Sequence, residues 1–202
     1  MNHYYSKTPD VKSDVRDIAF ECEGVNILLK TDLGVFSKDK VDYGTEVFLK
    51  TLIRNDCITS GRVLDLGAGY GTIGITLMKK NADVSATMVE LNERAAGLCE
   101  KNAVLNDLAD RSDIVVSDVL EFTDSDFDYV VANPPIRQGK KIVNSFFSKA
   151  YECLKKGGEL FIVIQRKQGA PSAFRKLEEL FGNCEVVNIK SGYHILRSVR
   201  ED

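Results

Sequence analysis

The stretch VLDLGAGYGTIG, residues 63–74, constrains this chain more than any other. It reads as a buried strand running into a glycine-rich turn and then a helix. Glycines in that place let the backbone turn tightly and approach a ligand closely. Two spacings overlap: Gly67, Gly69 and Gly71 make G-x-G-x-G, and Gly69, Gly71 and Gly74 make the dinucleotide spacing G-x-G-x-x-G. Asp65 separates the two readings, because a carboxylate at the strand tip repels a pyrophosphate and attracts an ammonium or sulfonium. S-adenosyl-L-methionine (SAM) is therefore favoured over NAD.

The surrounding pattern agrees. From Arg62 onward, strands at RVLDLG, DVSATMVEL, SDIVVSD, FDYVVAN and GELFIVIQ alternate with helices at TIGITLMKKN, NERAAGLCEKNAVLND, VNSFFSKAYECLKKGG and APSAFRKLEELFG. Asn92 is a good N-cap for the second helix, and the third ends on a basic turn and a glycine stop. CEVVNIKS and YHILRSVR close the chain as two strands joined by a short SG turn. This predicts a Rossmann-like α/β domain, a mostly parallel sheet with helices on both faces and an antiparallel ending. Upstream, IAFECEG and VNILLKTD form a hairpin through Glu23 and Gly24, and GVFSKDKVDYGTEVFLKTLI is a loop running into a helix. The expectation is a single domain over 1–202, with residues 1–60 as a hairpin cap packed on the sheet and 61–202 as the catalytic core.

Composition excludes several function classes. No apolar run approaches a membrane span, and the polar start MNHYYSKTPDVKSDVRD is not a signal peptide, so a cytoplasmic location is expected. Five scattered cysteines and two histidines make no metal-ligand spacing, so no metal is expected and the thiols are read as buried and free. The net charge of −3 gives no global nucleic-acid signal, so a polyanion would have to be met by a local patch.

Three carboxyl-edge features supply candidate site residues. Glu90 ends the second core strand, where a carboxylate can accept from both ribose hydroxyls; the alternative is a solvated loop Glu. Asp118 follows the third, where it can bond an adenine amino group, cap the turn that follows, or both. After the fourth comes YVVANPPIRQGKK, residues 129–141. Asn133 is forced extended by Pro134, and Pro134 and Pro135 stiffen the loop and leave its carbonyls unclaimed by neighbouring N–H groups.

VLDLGAGYGTIGI, VEL, SDVL and NPPI occur in the order found in class I SAM-dependent methyltransferases, and GVFSKDKVDYGTEVFL with NPPIRQGK sharpens the likeness. From about Tyr4 onward the chain resembles the small-methyltransferase-domain family, whose best-known members are small-subunit ribosomal RNA guanine-N2 methyltransferases. On these motifs the resemblance implies a seven-stranded sheet in the order 3-2-1-4-5-7-6 with strand 7 antiparallel. It implies SAM contacts from Asp65, Gly67, Ala68, Gly69, Gly71, Glu90, Leu91, Asp118 and Val119, and a target amine held by Asn133 and Pro134. Two departures matter. N-P-P motifs of amino-methyltransferases usually continue with an aromatic residue, whereas Ile136 stands here. Some family members also carry an extra N-terminal half, whereas the expectation here is the catalytic half alone.

The chemistry expected at Asn133 needs no metal and no general acid. An exocyclic aromatic amine is a poor nucleophile because its lone pair is delocalised. Two acceptors on its N–H groups, the Asn133 side-chain oxygen and the Pro134 carbonyl, would draw the nitrogen towards tetrahedral shape and stabilise the developing positive charge. Pro135 and Ile136 are candidate substrate contacts. Phe36 is a candidate for the missing stacking ring or else a core residue. Asp42, Gly44 and Thr45 are candidates to close over the methionine end of SAM, with the following helix N-terminus favouring its carboxylate. Arg137, Lys140, Lys141, Arg166 and Lys167 form either a phosphate-binding rim or ordinary solvated charge. The expected activity is methylation of guanine N2 in ribosomal RNA. Rivals are adenine-N6 or protein glutamine-amide methylation, a nucleotide-binding dehydrogenase, and a non-catalytic RNA-binding assembly factor that keeps the fold.

Overall fold

Hydrophobic periodicity sets each element, and the turns between them set the site. The computed structural model describes residues 12–202; the chain up to Val11, and with it the start of the resemblance near Tyr4, lies outside the described residues. β1 (Arg16–Cys22) and β2 (Val25–Thr31) form an antiparallel hairpin closed at Glu23 and Gly24. Both turn residues have positive φ, 51° and 78°, the geometry that matches strand twist in a two-residue loop. α1 (Tyr43–Arg54) follows, and β3 (Gly61–Leu66), α2 (Thr72–Lys80), β4 (Val84–Glu90), α3 (Glu93–Leu105), β5 (Ser112–Val116) and β6 (Phe127–Ala132) alternate after it. α4 (Lys140–Cys153), β7 (Leu154–Gln165), α5 (Ala170–Phe181), β8 (Glu185–Lys190) and β9 (Tyr193–Val199) complete the chain.

Seven strands make the main sheet in the order β5-β4-β3-β6-β7-β9-β8, and β9 runs antiparallel to both its neighbours. This is the order and the strand reversal expected from the family motifs. Successive residues of a strand face opposite sides, so two cores form. Val63, Met88, Val131 and Phe161 pack beneath α1, α2 and α3, while Leu64, Leu66, Val130 and Ile162 pack beneath α4 and α5. Leu64 and Leu66 are fully buried, each burial being worth about 1.5–3 kcal/mol. Among the described residues no helix is long and apolar enough to cross a membrane.

Two expectations are corrected. The hairpin packs on α2 and α3, not on the sheet. The outer edge of β2 is met by two asparagines one turn apart on α3. Asn106 accepts from Leu28 N–H at 3.1 Å and donates to Leu28 O at 2.7 Å; Asn102 does the same for Lys30 at 2.6 and 3.0 Å. The two side-chain amides stand in for a neighbouring strand. The second correction concerns LKKGG, which is strand and not the end of a helix. Leu154 is extended at φ −71°, ψ 144° and pairs with Phe127. Gly157, at φ 78°, donates to Arg200 O, and Arg200 N–H donates to Gly158 O at 2.9 Å. The glycines therefore serve a strand irregularity, and Lys155 pairs with Asp128 instead of a helix terminus.

Candidate active site

The strand order reverses between β3 and β6, which opens a crevice at their carboxyl ends. The turns after β3, β4, β5 and β6 and the loop before α1 wall a cavity of about 360 Å³ there. Gly67 and Ala68 donate their N–H groups to Val89 O at 2.9 and 3.0 Å, fixing the glycine loop against β4. Gly69, at φ 60°, donates to Glu90 Oε2 at 2.8 Å, and Glu90 Oε1 accepts from Asn92 N–H at 2.8 Å. Glu90 thus ties two turns together and keeps its remaining lone pairs on the cavity wall. Burial raises its pKa, against the N–H groups of Asn92, Gly69 and Leu91.

Two expected contacts stand behind this wall. Gly71, at φ 92°, begins α2 outside the cavity, and a Cβ there would lie 2.6 Å from Cys99 Sγ. Its glycine is required by the packing of α2 on α3. Asp65 does not reach the cavity either. It is fully buried, its Oδ2 accepts from Gly74 N–H at 3.1 Å, and its Oδ1 has no partner among the described residues. Burial pushes its carboxyl up to about 7, against the Gly74 N–H and with Glu90 adding to the rise. Asp65 therefore supports the glycine loop from behind, and no direct attraction of a cation by this carboxylate follows.

Asp118 lines the cavity and caps the turn after it, accepting from Leu120 N–H at 2.9 Å. Leu91 and Val119 give apolar wall between Glu90 and Asp118. Polar acceptors flanking an apolar wall beside a glycine loop suit a nucleoside carrying an amino acid chain.

The loop before α1 is pinned over the cavity. Asn92 Nδ2 donates to Gly34 O at 3.1 Å, Arg94 to Leu33 O at 2.7 Å and Tyr70 Oη to Ser37 O at 3.1 Å. Phe36 consequently sits at the cavity, 47% exposed, which excludes its reading as a core residue. Asp42 caps α1, its Oδ2 accepting from Thr45 N–H at 3.2 Å. Asp42 and Thr45 line the cavity but Gly44 does not. A Cβ on Gly44 would lie 2.7 Å from the Tyr193 ring, so this glycine seats Tyr193.

Asn133 lines the opposite wall and reaches α1. Its Nδ2 donates to Thr45 Oγ1 at 3.0 Å and lies 3.4 Å from Asp42 Oδ2. A carboxylate only accepts, so the amide nitrogen faces it and Oδ1 is the atom left without a donor among the described residues. The Pro134 carbonyl corrects another expectation, for it is already claimed. It accepts from Ile136 N–H at 2.8 Å around Pro135 at φ −76°, ψ 75°, an inverse γ-turn. One of its lone pairs remains. Pro135, Ile136 and Arg137 line the cavity, whereas Lys140, Lys141, Arg166 and Lys167 do not. Lys140 and Lys141 open α4, and Arg166 and Lys167 lie in a short 3₁₀ turn after β7. None of the five cations makes an ion pair among the described residues.

Tyr193 is a cavity residue that the sequence reading missed. The signal was topological: an antiparallel β9 brings its first residue beside Gln165, at the carboxyl end of β7.

The sheet order, the crevice at its reversal and the glycine loop beneath it define a class I SAM-dependent methyltransferase. Residues 26–197 match the family model "Methyltransferase small domain", and the chain belongs to that family. It is 42% identical over 198 residues to the uncharacterized protein YbxB of Bacillus subtilis, covering 97% of each chain. Among solved structures it is similar to the T. thermophilus 16S rRNA N2 methyltransferase RsmC in complex with AdoMet and guanosine. That match has a TM-score of 0.82 at 26% identity and covers 96% of this chain but 52% of the RsmC chain. The fold is also shared with a SAM-dependent O-methyltransferase of Thermotoga maritima, with a TM-score of 0.66 at 20% identity over 83% of this chain and 69% of that one.

Proposed function

We propose that the protein transfers a methyl group from SAM to an exocyclic nucleobase amine, guanine N2 in ribosomal RNA, in the cytoplasm. The observation that carries this reading is the Asn133 amide, held so that its oxygen, and not its nitrogen, is left for a ligand. An N–H donor such as an aromatic amine fits that oxygen. SAM would supply the electrophilic methyl on a sulfonium: the S–CH3 bond would break as the N–C bond forms, leaving S-adenosylhomocysteine, and the surplus amine proton would pass to water.

In this reading Gly67, Ala68 and Gly69 cradle the cofactor with their backbone. Glu90 accepts from the ribose hydroxyls, Asp118 from the adenine amino group, and Leu91 and Val119 pack on the rings. Asn133 Oδ1 and the remaining lone pair of Pro134 O bind the target amine. Both strengthen their hold as positive charge develops on nitrogen, which is stabilisation of the transition state. The rigid Pro134 and Pro135 backbone fixes the line between nitrogen and methyl. Phe36 stacks on the base in place of the ring absent at Ile136, and Arg137, Lys140, Lys141, Arg166 and Lys167 meet RNA phosphates. The RsmC likeness supports the nucleobase and the RNA.

The test is transfer of labelled methyl from SAM to total RNA, ribosomal subunits, DNA and protein, followed by nucleoside analysis. N2-methylguanosine is the expected product. Label confined to protein overturns the reading, and N6-methyladenosine redirects it within the same chemistry.

A further inference from the structure

A side-chain amide has two faces, and rotation about its last bond exchanges acceptor for donor. At Asn133 only one of the two serves an amine. With the oxygen outward it accepts an N–H; with the nitrogen outward it offers a donor to a donor and opposes the charge forming on the substrate. We infer that Thr45 and Asp42 are positioning residues that lock the Asn133 amide oxygen-outward. The inference rests on the proposed role of Asn133 as amine acceptor and assigns how that role is enforced.

Three contacts build the lock. Asn133 Nδ2 donates to Thr45 Oγ1 at 3.0 Å and faces Asp42 Oδ2 at 3.4 Å. That same Oδ2 accepts from Thr45 N–H at 3.2 Å, so the carboxylate cannot swing away without uncapping α1. Thr45 is 7% exposed, and between it and Asp42 Gly44 leaves no room for a side chain against Tyr193. Asp42, Gly44 and Thr45 thus act as one unit of cap, seat and clamp. A flipped Asn133 would set its carbonyl oxygen against the Asp42 carboxylate, two acceptors with no proton between them. This unit was a candidate for the methionine end of SAM; the hydrogen bonds direct its side chains to Asn133 instead.

Thr45→Val removes Oγ1, keeps the shape of the side chain and keeps the backbone N–H that bonds Asp42. Its single-turnover methyl-transfer rate should fall about tenfold, with SAM affinity by calorimetry unchanged and Thr45→Ser restoring the rate to within about twofold. Asp42→Ser retains a capping oxygen but removes the charge, and should lose roughly a hundredfold. The side-chain amide protons of Asn133, assigned by their loss in Asn133→Ala, report the lock by NMR without any substrate and should shift in both variants. An unchanged rate with weakened SAM binding in Thr45→Val makes the pair cofactor contacts and overturns the inference, as does an unmoved Asn133 amide signal. Should the wild-type protein methylate no amine, the reading of Asn133 fails, while the amide signal still judges the lock.

Discussion

Asn133 concentrates most of the proposed chemistry in one oxygen atom. Asn133→Ala should lower methyl-transfer rate by about 10²–10³, the cost of removing one preorganised transition-state partner, while calorimetry finds SAM affinity within a few-fold of wild type. The motif order around Asn133 made it legible, but its orientation was not. Nothing in NPPI reveals that Asp42, ninety-one residues earlier, turns the amide. The role of Asp65 is hidden in the sequence for a related reason. Strand-tip position was visible, but which way the carboxylate points depends on Gly74 folding back over it. Its consequence is a pH effect. A carboxyl raised to about 7 in the fold binds more protons than its unfolded counterpart between about pH 4 and 7. Its stabilising proton is fully present below the unfolded pKa and lost as pH rises through 7, so stability falls across that window. Asp65→Asn keeps an acceptor for Gly74 and no longer titrates. It should flatten the slope of unfolding free energy between about pH 4 and 7 in denaturant titrations, each unit of pKa displacement being about 1.4 kcal/mol.

At the scale of elements, periodicity gave strands and helices because the parallel strands are short runs rich in apolar residues and α3 opens on the Asn92 cap. The boundary between α4 and β7 escaped it. LKKGG has the composition of a helix end, and only the pairing of Leu154 with Phe127 and of Gly157 with Arg200 makes it strand. The hairpin was legible as a hairpin, yet its seat was not, since Asn102 and Asn106 look like ordinary polar positions on α3. Both are buried, at 0% and 4% exposure, and together they satisfy the edge of β2. Asn102 also donates to Tyr70 O at 2.8 Å, so the hairpin, α3 and the glycine loop share one amide. Asn102→Ala leaves buried backbone groups unpaired and should cost about 1–3 kcal/mol. Hydrogen exchange should show Lys30 N–H losing protection, with Leu28 N–H, held by Asn106, affected less.

For the whole molecule, the question is how a chain of net charge −3 would hold a polyanion. Two features favour the basic rim as the answer. Its five cations make no ion pair among the described residues, although carboxylates elsewhere hold Lys50, Arg62, Lys155 and Arg197. Lys140 and Lys141 also stand in the first turn of α4, which has no acidic residue there and no side-chain cap. Positive charge at a helix N-terminus is unfavourable, typically by about 0.3–1 kcal/mol, so this placement costs stability in the free protein and is relieved when an anion arrives. Arg166 and Lys167 precede the likewise uncapped N-terminus of α5. Replacing Lys140 and Lys141 together by Ala should therefore raise thermal stability slightly and weaken RNA binding at the same time. Binding should lose salt dependence as well as affinity, the slope of log K against log[salt] falling by up to ~1.4 for two contacts to single-stranded phosphates. SAM affinity should stay unchanged, because neither lysine lines the cavity. Titrations of RNA at three salt concentrations, read beside a melting curve, separate the outcomes: equal salt slopes for variant and wild type would return these lysines to ordinary solvated charge.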